Sequence, residues 1–83
     1  MTRDDVLSAL RDASVEVLGV EPGAVTEEAN FHHDLDADSL DLVELVMVLE
    51  ERLGVPIPEE ELANINTVGQ AVDVVLGRLA PTP

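Results

Sequence analysis

The amino-acid sequence predicts a small all-α fold: a four-helix bundle with three main helices, one short third helix and a long loop between helices 1 and 2. Three segments place apolar residues at i, i+3 and i+4, and no segment of any length alternates with the period of two that strands show. With 83 residues and one aromatic side chain, Phe31, the chain must build its core from leucine, valine, isoleucine and alanine. We expect a single domain over residues 1–80.

The first helix is predicted to begin after Thr2 and to stop at Gly19. Thr2 and Asp5, three residues apart, form a typical capping pair, and glycine commonly follows the last residue of a helix. The apolar residues between these ends keep helical spacing and are expected to face the core: Val6, Leu7, Leu10, Val17 and Leu18.

Residues 19–38 are predicted to form the long loop, because Gly19, Pro22 and Gly23 interrupt any regular pattern. A loop of this length in so small a domain is usually functional. We expect Phe31 and Leu35 to hold it against the core.

The second helix is predicted to have Asp38 as its N-cap and Asp41 at the third helical position, and to run to Leu53 before Gly54. A short third helix is expected from Glu59 to Ala63, after two prolines. Thr67 is predicted to cap the fourth helix, and the tail 81–83 to be disordered. The stripe of the fourth helix comprises Val68, Ala71, Val72, Val75, Leu76 and Leu79.

The second helix carries more apolar residues than one buried face requires. One stripe anchors it in the bundle, and a second lies about 100° away around the helix. We define this second stripe, Leu40, Val43 and Met47, as the apolar strip and expect it to be exposed and rimmed by acids. Such rimmed strips mark docking surfaces, and methionine adapts to several partners.

Charge narrows the classes of partner. Acidic residues outnumber basic ones 18 to 4, and residues 34–61 hold 10 of the acids but one cation, Arg52. Nucleic acid and anionic membranes would repel such a chain, whereas basic proteins would be steered towards it. No apolar run is long enough to span a bilayer, no signal peptide is recognisable and cysteine is absent, so we expect a cytoplasmic protein. We also expect it to be a monomer.

Ser39 lies among four carboxylates, at the point where the loop pattern becomes the second helix. Asp38 supplies the cap, so the Ser39 hydroxyl is free, and the N–H groups of a helix start can stabilise an attached phosphate. No basic side chain is adjacent to activate the serine, which favours a modification site over a catalytic one. The four acids are Asp34, Asp36, Asp38 and Asp41.

Other chemistries fit this segment poorly. An EF-hand loop starting at Asp34 would need glycine and glutamate where Ser39 and Leu45 stand. A hydrolytic serine needs a base and an oxyanion hole, and Asp38 would oppose alkoxide formation. Adjacent His32 and His33 rarely converge on one zinc ion, so no metal site and no catalytic residue are predicted.

The run Asp38-Ser39-Leu40, continued by Asp41-Leu42-Val43-Glu44-Leu45-Val46-Met47 and Leu49-Glu50-Glu51, resembles the motif of acyl carrier proteins. Phe31 with Asp34-Leu35, Ile57-Pro58 and Thr67-Val68-Gly69 extend the resemblance over essentially the whole chain.

The resemblance implies a four-helix carrier, not an enzyme, in which Ser39 receives 4′-phosphopantetheine from coenzyme A through a magnesium-dependent phosphopantetheinyl transferase. The thiol of that arm would hold acyl groups as thioesters, and the acyl chain would slip between the helices. Partners would be basic-surfaced acyl-processing enzymes such as acyltransferases and ketosynthases. The residues that match the family's recognition surface are Asp38, Leu40, Asp41, Val43, Glu44, Met47 and Glu51.

Two departures and several alternatives remain. Asp36 stands where many members have glycine, and His32-His33 replace more usual apolar or acidic residues. Asp38 before the serine favours an acyl load over an aminoacyl load, while service in fatty acid and in polyketide synthesis stays open. The rivals are a discrete peptidyl carrier of a nonribosomal pathway and a non-covalent acidic adaptor that uses the apolar strip.

Overall fold

The computed structural model describes residues 2–79 and confirms the all-α bundle. It contains helices α1 (Arg3–Leu18), α2 (Ser39–Leu53) and α3 (Val68–Leu79), with 3₁₀ segments at Pro22–Ala24 and Glu59–Asn64. The predicted short third helix is the second 3₁₀ segment, and the predicted fourth helix is α3. Within the described part of the chain the only β contact is an isolated bridge, and the predicted disordered tail lies outside it.

Helix α1 has the predicted ends. The Asp5 N–H donates to Thr2 Oγ1 (3.2 Å) and the Thr2 N–H donates to an Asp5 carboxylate oxygen (2.9 Å), which completes a capping box. Gly19 closes the helix at φ 68°, a left-handed conformation that favours glycine. The hydrogen bonds from the Thr2 backbone, and then its hydroxyl, hold the pKa of Asp5 below its ordinary value.

Helix α1 packs against both α2 and α3, and α2 packs against the second 3₁₀ segment. The core between them is aliphatic around one aromatic ring, since Leu10, Leu45, Leu49 and Val72 are buried together with Phe31. Burial of such side chains contributes roughly 1.5–3 kcal/mol each. None of the helices within residues 2–79 is long and apolar enough to cross a membrane.

The long loop is fastened to the start of α3. Asn30 and Thr67 form the isolated bridge, and the Phe31 N–H donates to the Asn66 carbonyl at 2.9 Å. The Val68 N–H donates to the Ala29 carbonyl at the same distance. Phe31 is fully buried and Leu35 is 3% exposed, which confirms that both side chains anchor the loop.

Arg3 ties the beginning of α1 to the loop and to α3. Its guanidinium forms ion pairs with Glu27 and Asp73 and also reaches the Gly69 carbonyl at 3.4 Å. The hydrogen bond to Glu27, and next the one to Asp73, raise the pKa of Arg3 above its ordinary value. Arg3 therefore connects the beginning of α1, the long loop and α3, which are distant from one another in the sequence.

Candidate functional site

Ser39 is the first residue of α2 and is exposed. The cap beneath it is made by its neighbours: the Asp41 N–H donates to Asp38 Oδ1 (2.8 Å) and the Asp38 N–H donates to Asp41 Oδ2 (3.1 Å). Because this capping box satisfies the helix start, the Ser39 hydroxyl is not needed for it. The helix ends as predicted, with Gly54 at φ 66°.

The loop before the serine is ordered by its own polar groups. The Asn30 side-chain oxygen accepts the N–H groups of His32 (2.9 Å) and His33 (3.0 Å), and the Asp34 carboxylate accepts the Asn30 N–H (2.7 Å). The Ala37 N–H closes the turn on the Phe31 carbonyl at 2.7 Å. The segment that precedes Ser39 is thus a hydrogen-bonded turn anchored by the buried Phe31.

Asp36 is strained within this turn. It is the one non-glycine residue between positions 2 and 79 with a positive φ, 57°. The left-handed region is unfavourable for residues with a Cβ, although Asp tolerates it better than most. The structure therefore gives a conformational reason for the glycine that many acyl carrier proteins have here.

His32 forms a side-chain contact that the sequence did not predict. Its Nδ1 lies 2.7 Å from the Ala37 carbonyl oxygen, and no hydrogen bond joins either histidine to Ser39 among the described residues. Within residues 2–79 no group of three or more histidine, aspartate and glutamate side chains is placed to hold a metal ion.

A pocket of about 320 Å³ opens beside Ser39, between α2, the second 3₁₀ segment and the turn before the serine. Its lining combines aliphatic side chains with two polar ones and the serine itself, so a chain with a polar start and an apolar end fits the chemistry of the walls. The lining residues are His32, Ser39, Leu42, Val43, Leu62, Ala63, Ile65 and Asn66.

Besides His32 and Leu42, four of these lining residues, from Leu62 to Asn66, were not recognised from the sequence as part of a site. They lie in and just after the second 3₁₀ segment, whose place against α2 depends on tertiary packing. The only local signal was the prolines before Glu59, which indicate a break and not a pocket wall.

The apolar strip is divided by the fold. Leu40 and Met47 are 78% and 59% exposed, whereas Val43 is half-buried and lines the pocket. The expectation that the strip is exposed is confirmed for Leu40 and Met47 but was wrong for Val43, which faces the pocket that α2 shares with the second 3₁₀ segment. Around the strip, Asp38, Glu44 and Glu51 are exposed and Asp41 is half-buried.

Comparison with known proteins agrees with this geometry. The family model described as "Phosphopantetheine attachment site" matches residues 8–75. The chain is 50% identical over 76 residues to an acyl carrier protein of Rubrobacter xylanophilus, covering 92% of this chain and 94% of that protein. It also resembles the solved structure of the acyl carrier protein from Enterococcus faecalis, with a TM-score of 0.74 and 36% identity over 94% of this chain and 99% of that one.

Proposed function

The chain belongs to the acyl carrier protein family, and on that premise we propose that Ser39 bears the prosthetic arm and that the protein shuttles acyl intermediates between enzymes. The family match implies a covalently attached 4′-phosphopantetheine.

Ser39 is supported as the attachment residue by its position. Its side chain is exposed at the start of α2, its neighbour Asp38 carries the cap, and it borders a pocket lined by both aliphatic and polar residues. The N-terminal end of a helix also favours a phosphate. This combination of a free hydroxyl and an adjoining pocket is the observation that carries the proposal.

The chemistry requires little of the protein itself. The Ser39 oxygen would form a phosphodiester with the pantetheine-bearing phosphorus of coenzyme A, while the bond to the nucleotide half breaks and 3′,5′-ADP leaves. The bound arm supplies a thiol that carries acyl groups as thioesters, which a chain without cysteine cannot supply. Leu42, Val43 and Ile65 would shelter an acyl chain from water.

We propose that enzymes dock on the exposed face of α2. Leu40 and Met47 offer apolar contact and Val43 lies at the pocket wall, while Asp38, Asp41, Glu44 and Glu51 supply negative charge. A basic surface on the transferase, an acyltransferase or a ketosynthase would complement it, since opposite charges raise association rates.

The pathway proposed is fatty acid or polyketide synthesis. Asp38 before the serine argues for an acyl load, because peptidyl carriers commonly have histidine or glycine at that position. A discrete peptidyl carrier is the alternative within the carrier class. A non-covalent acidic adaptor is the alternative outside it, and the exposure of Leu40 and Met47 is compatible with both classes.

Intact mass after incubation with coenzyme A, magnesium and a promiscuous phosphopantetheinyl transferase tests the attachment. We expect the wild type to gain the mass of one arm and Ser39→Ala to gain none. Ser8→Ala is the matched control, because Ser8 is also an exposed serine but lies on α1, and it should load normally. Loading of Ser39→Ala, or no loading of folded wild type, would refute the proposal.

Charge reversal tests the docking surface. Glu44→Lys should lower kcat/KM for loading about three- to tenfold, the equivalent of roughly 0.7–1.4 kcal/mol. Glu21→Lys makes the same charge change at an exposed position in the loop after α1 and should have a much smaller effect. Equal effects of the two variants would mean that net charge, and not the α2 surface, guides the partner.

A further inference from the structure

His32 is the basic side chain of the pocket beside Ser39. All four arginines are engaged elsewhere: Arg3 with Glu27 and Asp73, Arg52 with Glu16, Arg78 with Glu61, and Arg11 with the Val25 carbonyl. The sequence has no lysine. The imidazole of His32 is therefore the one basic side chain that a negative group attached to Ser39 could meet at this pocket.

The structure fixes the orientation of this imidazole. The backbone N–H of His32 donates to the Asn30 side-chain oxygen (2.9 Å), and Nδ1 of the His32 ring lies 2.7 Å from the Ala37 carbonyl oxygen. A carbonyl oxygen only accepts hydrogen bonds, so Nδ1 must carry a hydrogen in the neutral ring as well as in the charged one. The change of charge is thereby confined to Nε2, which is a bare acceptor when the ring is neutral and an N–H donor when it is cationic.

The carboxylates nearest His32 in the sequence lie outside the pocket's lining. His32 is the one titratable side chain among the pocket's lining residues. The carboxylate of Asp34 receives the Asn30 N–H, and that of Asp38 receives the Asp41 N–H. The other titratable groups near the pocket on the neighbouring segments are His33 and Asp36 in the turn, Asp41 and Glu44 on α2, and Glu59, Glu60 and Glu61 on the second 3₁₀ segment.

We propose, resting on the attachment at Ser39, that His32 Nε2–H donates a hydrogen bond to the phosphodiester of the arm and holds its first segment at the pocket mouth. The contact forms with the imidazolium and is lost when Nε2 gives up its proton, because a bare acceptor faces a phosphate that is itself only an acceptor. His32 is a positioning residue in this arrangement. It makes the seating of the arm dependent on the protonation of Nε2, and histidine is the side chain whose charge ordinarily changes between about pH 5 and 8.

The ³¹P resonance of the loaded protein tests the contact directly. A phosphodiester keeps its single negative charge across this range, so it has no titration of its own there. In the wild type we expect the ³¹P shift to pass through one step between about pH 5 and 8. In His32→Asn the side-chain amide can still donate to the Ala37 carbonyl, but the Nε2 position is gone, and the step should disappear.

Two further variants complete the design. His32→Gln offers a neutral donor that does not titrate, so it should also lack the step. His33→Gln removes the adjacent exposed imidazole and should keep the step. A flat ³¹P profile in the wild type, or a step that survives in His32→Asn or vanishes in His33→Gln, would overturn the inference.

Mass analysis of each sample separates this inference from the attachment itself. If folded wild type gains no arm on Ser39, both proposals fall. If the arm is present on Ser39 and the ³¹P profile is flat, the attachment stands and the role of His32 is refuted.

Discussion

Asp36 provides a sharp test of how the turn before Ser39 is built. It holds φ at 57°, and its carboxylate is exposed in a segment that also contains Asp34 and Asp38. Two penalties are therefore combined in one residue, a conformational one and an electrostatic one. Three substitutions separate them: Asp36→Asn, Asp36→Gly and Asp36→Ala.

The expected magnitudes follow from the geometry. A Cβ in the left-handed region costs about 1–2 kcal/mol, and glycine avoids this but loses about 0.5–1 kcal/mol of chain entropy on folding. Asp36→Gly should therefore be more stable than Asp36→Ala by about 0.5–1 kcal/mol. Asp36→Asn keeps a side chain that tolerates this conformation and removes only the charge, so it should gain a few tenths of a kcal/mol, about the size of other surface charge effects.

Urea unfolding followed by circular dichroism measures all four proteins, once at low ionic strength and once in about 1 M salt, where the Debye length is about 3 Å. The advantage of Asp36→Asn over wild type should fade in salt, while the gap between Asp36→Gly and Asp36→Ala should persist. If Asp36→Ala equals Asp36→Gly in stability, the left-handed conformation is not what constrains this position, and the reasoning is refuted.

Four further substitutions test other contacts by the same unfolding assay. A Cβ on Gly69 would lie 3.0 Å from the Glu27 carbonyl oxygen, so Gly69→Ala should destabilise the folded protein by about 1 kcal/mol. Gly77 lies on the same helix with open space where a Cβ would lie, so Gly77→Ala should stabilise the protein by about 0.5–1 kcal/mol. The fully buried Ser14 hydroxyl has no partner within residues 2–79, so Ser14→Ala should stabilise by about 1 kcal/mol, and a loss would mean that the hydroxyl is satisfied. The pKa of Asp5 is lower in the folded state than its ordinary value of 3.8, so the ionised carboxylate stabilises the fold above that value, and this stabilisation is lost as the pH falls through the folded-state pKa. Asp5→Asn should therefore lower the free energy of unfolding at neutral pH and change it little at strongly acidic pH. An equal cost at both pH values would contradict this.

The helices and their ends could be predicted because their causes are local. The capping boxes at Thr2 and Asp38 each join residues three apart, and Gly19 and Gly54 end the helices through their own backbone freedom. The 3₁₀ character of Glu59–Asn64 was missed, since helical spacing over so few residues does not distinguish the two geometries.

The docking surface was only half predictable. Spacing places Leu40, Val43 and Met47 on one side of α2, and this is a property of any α-helix. Which of them stays exposed depends on what packs alongside: Val43 is half-buried at the pocket between α2 and the second 3₁₀ segment, while Leu40 and Met47 remain exposed.

The sequence by itself determined the all-α class, the start of α2 at Ser39 and the family, because these depend on residue types at short, fixed separations. Tertiary structure alone decided the pocket beside Ser39, the seat of His32 on the Ala37 carbonyl and the joining of the loop to α3. The pocket and the joining of the loop to α3 need segments far apart in the sequence to meet, as Asn30 meets Thr67, while the seat of His32 depends on the backbone path of the turn between His32 and Ala37. Such meetings are set by the burial of the common core, which no local pattern specifies.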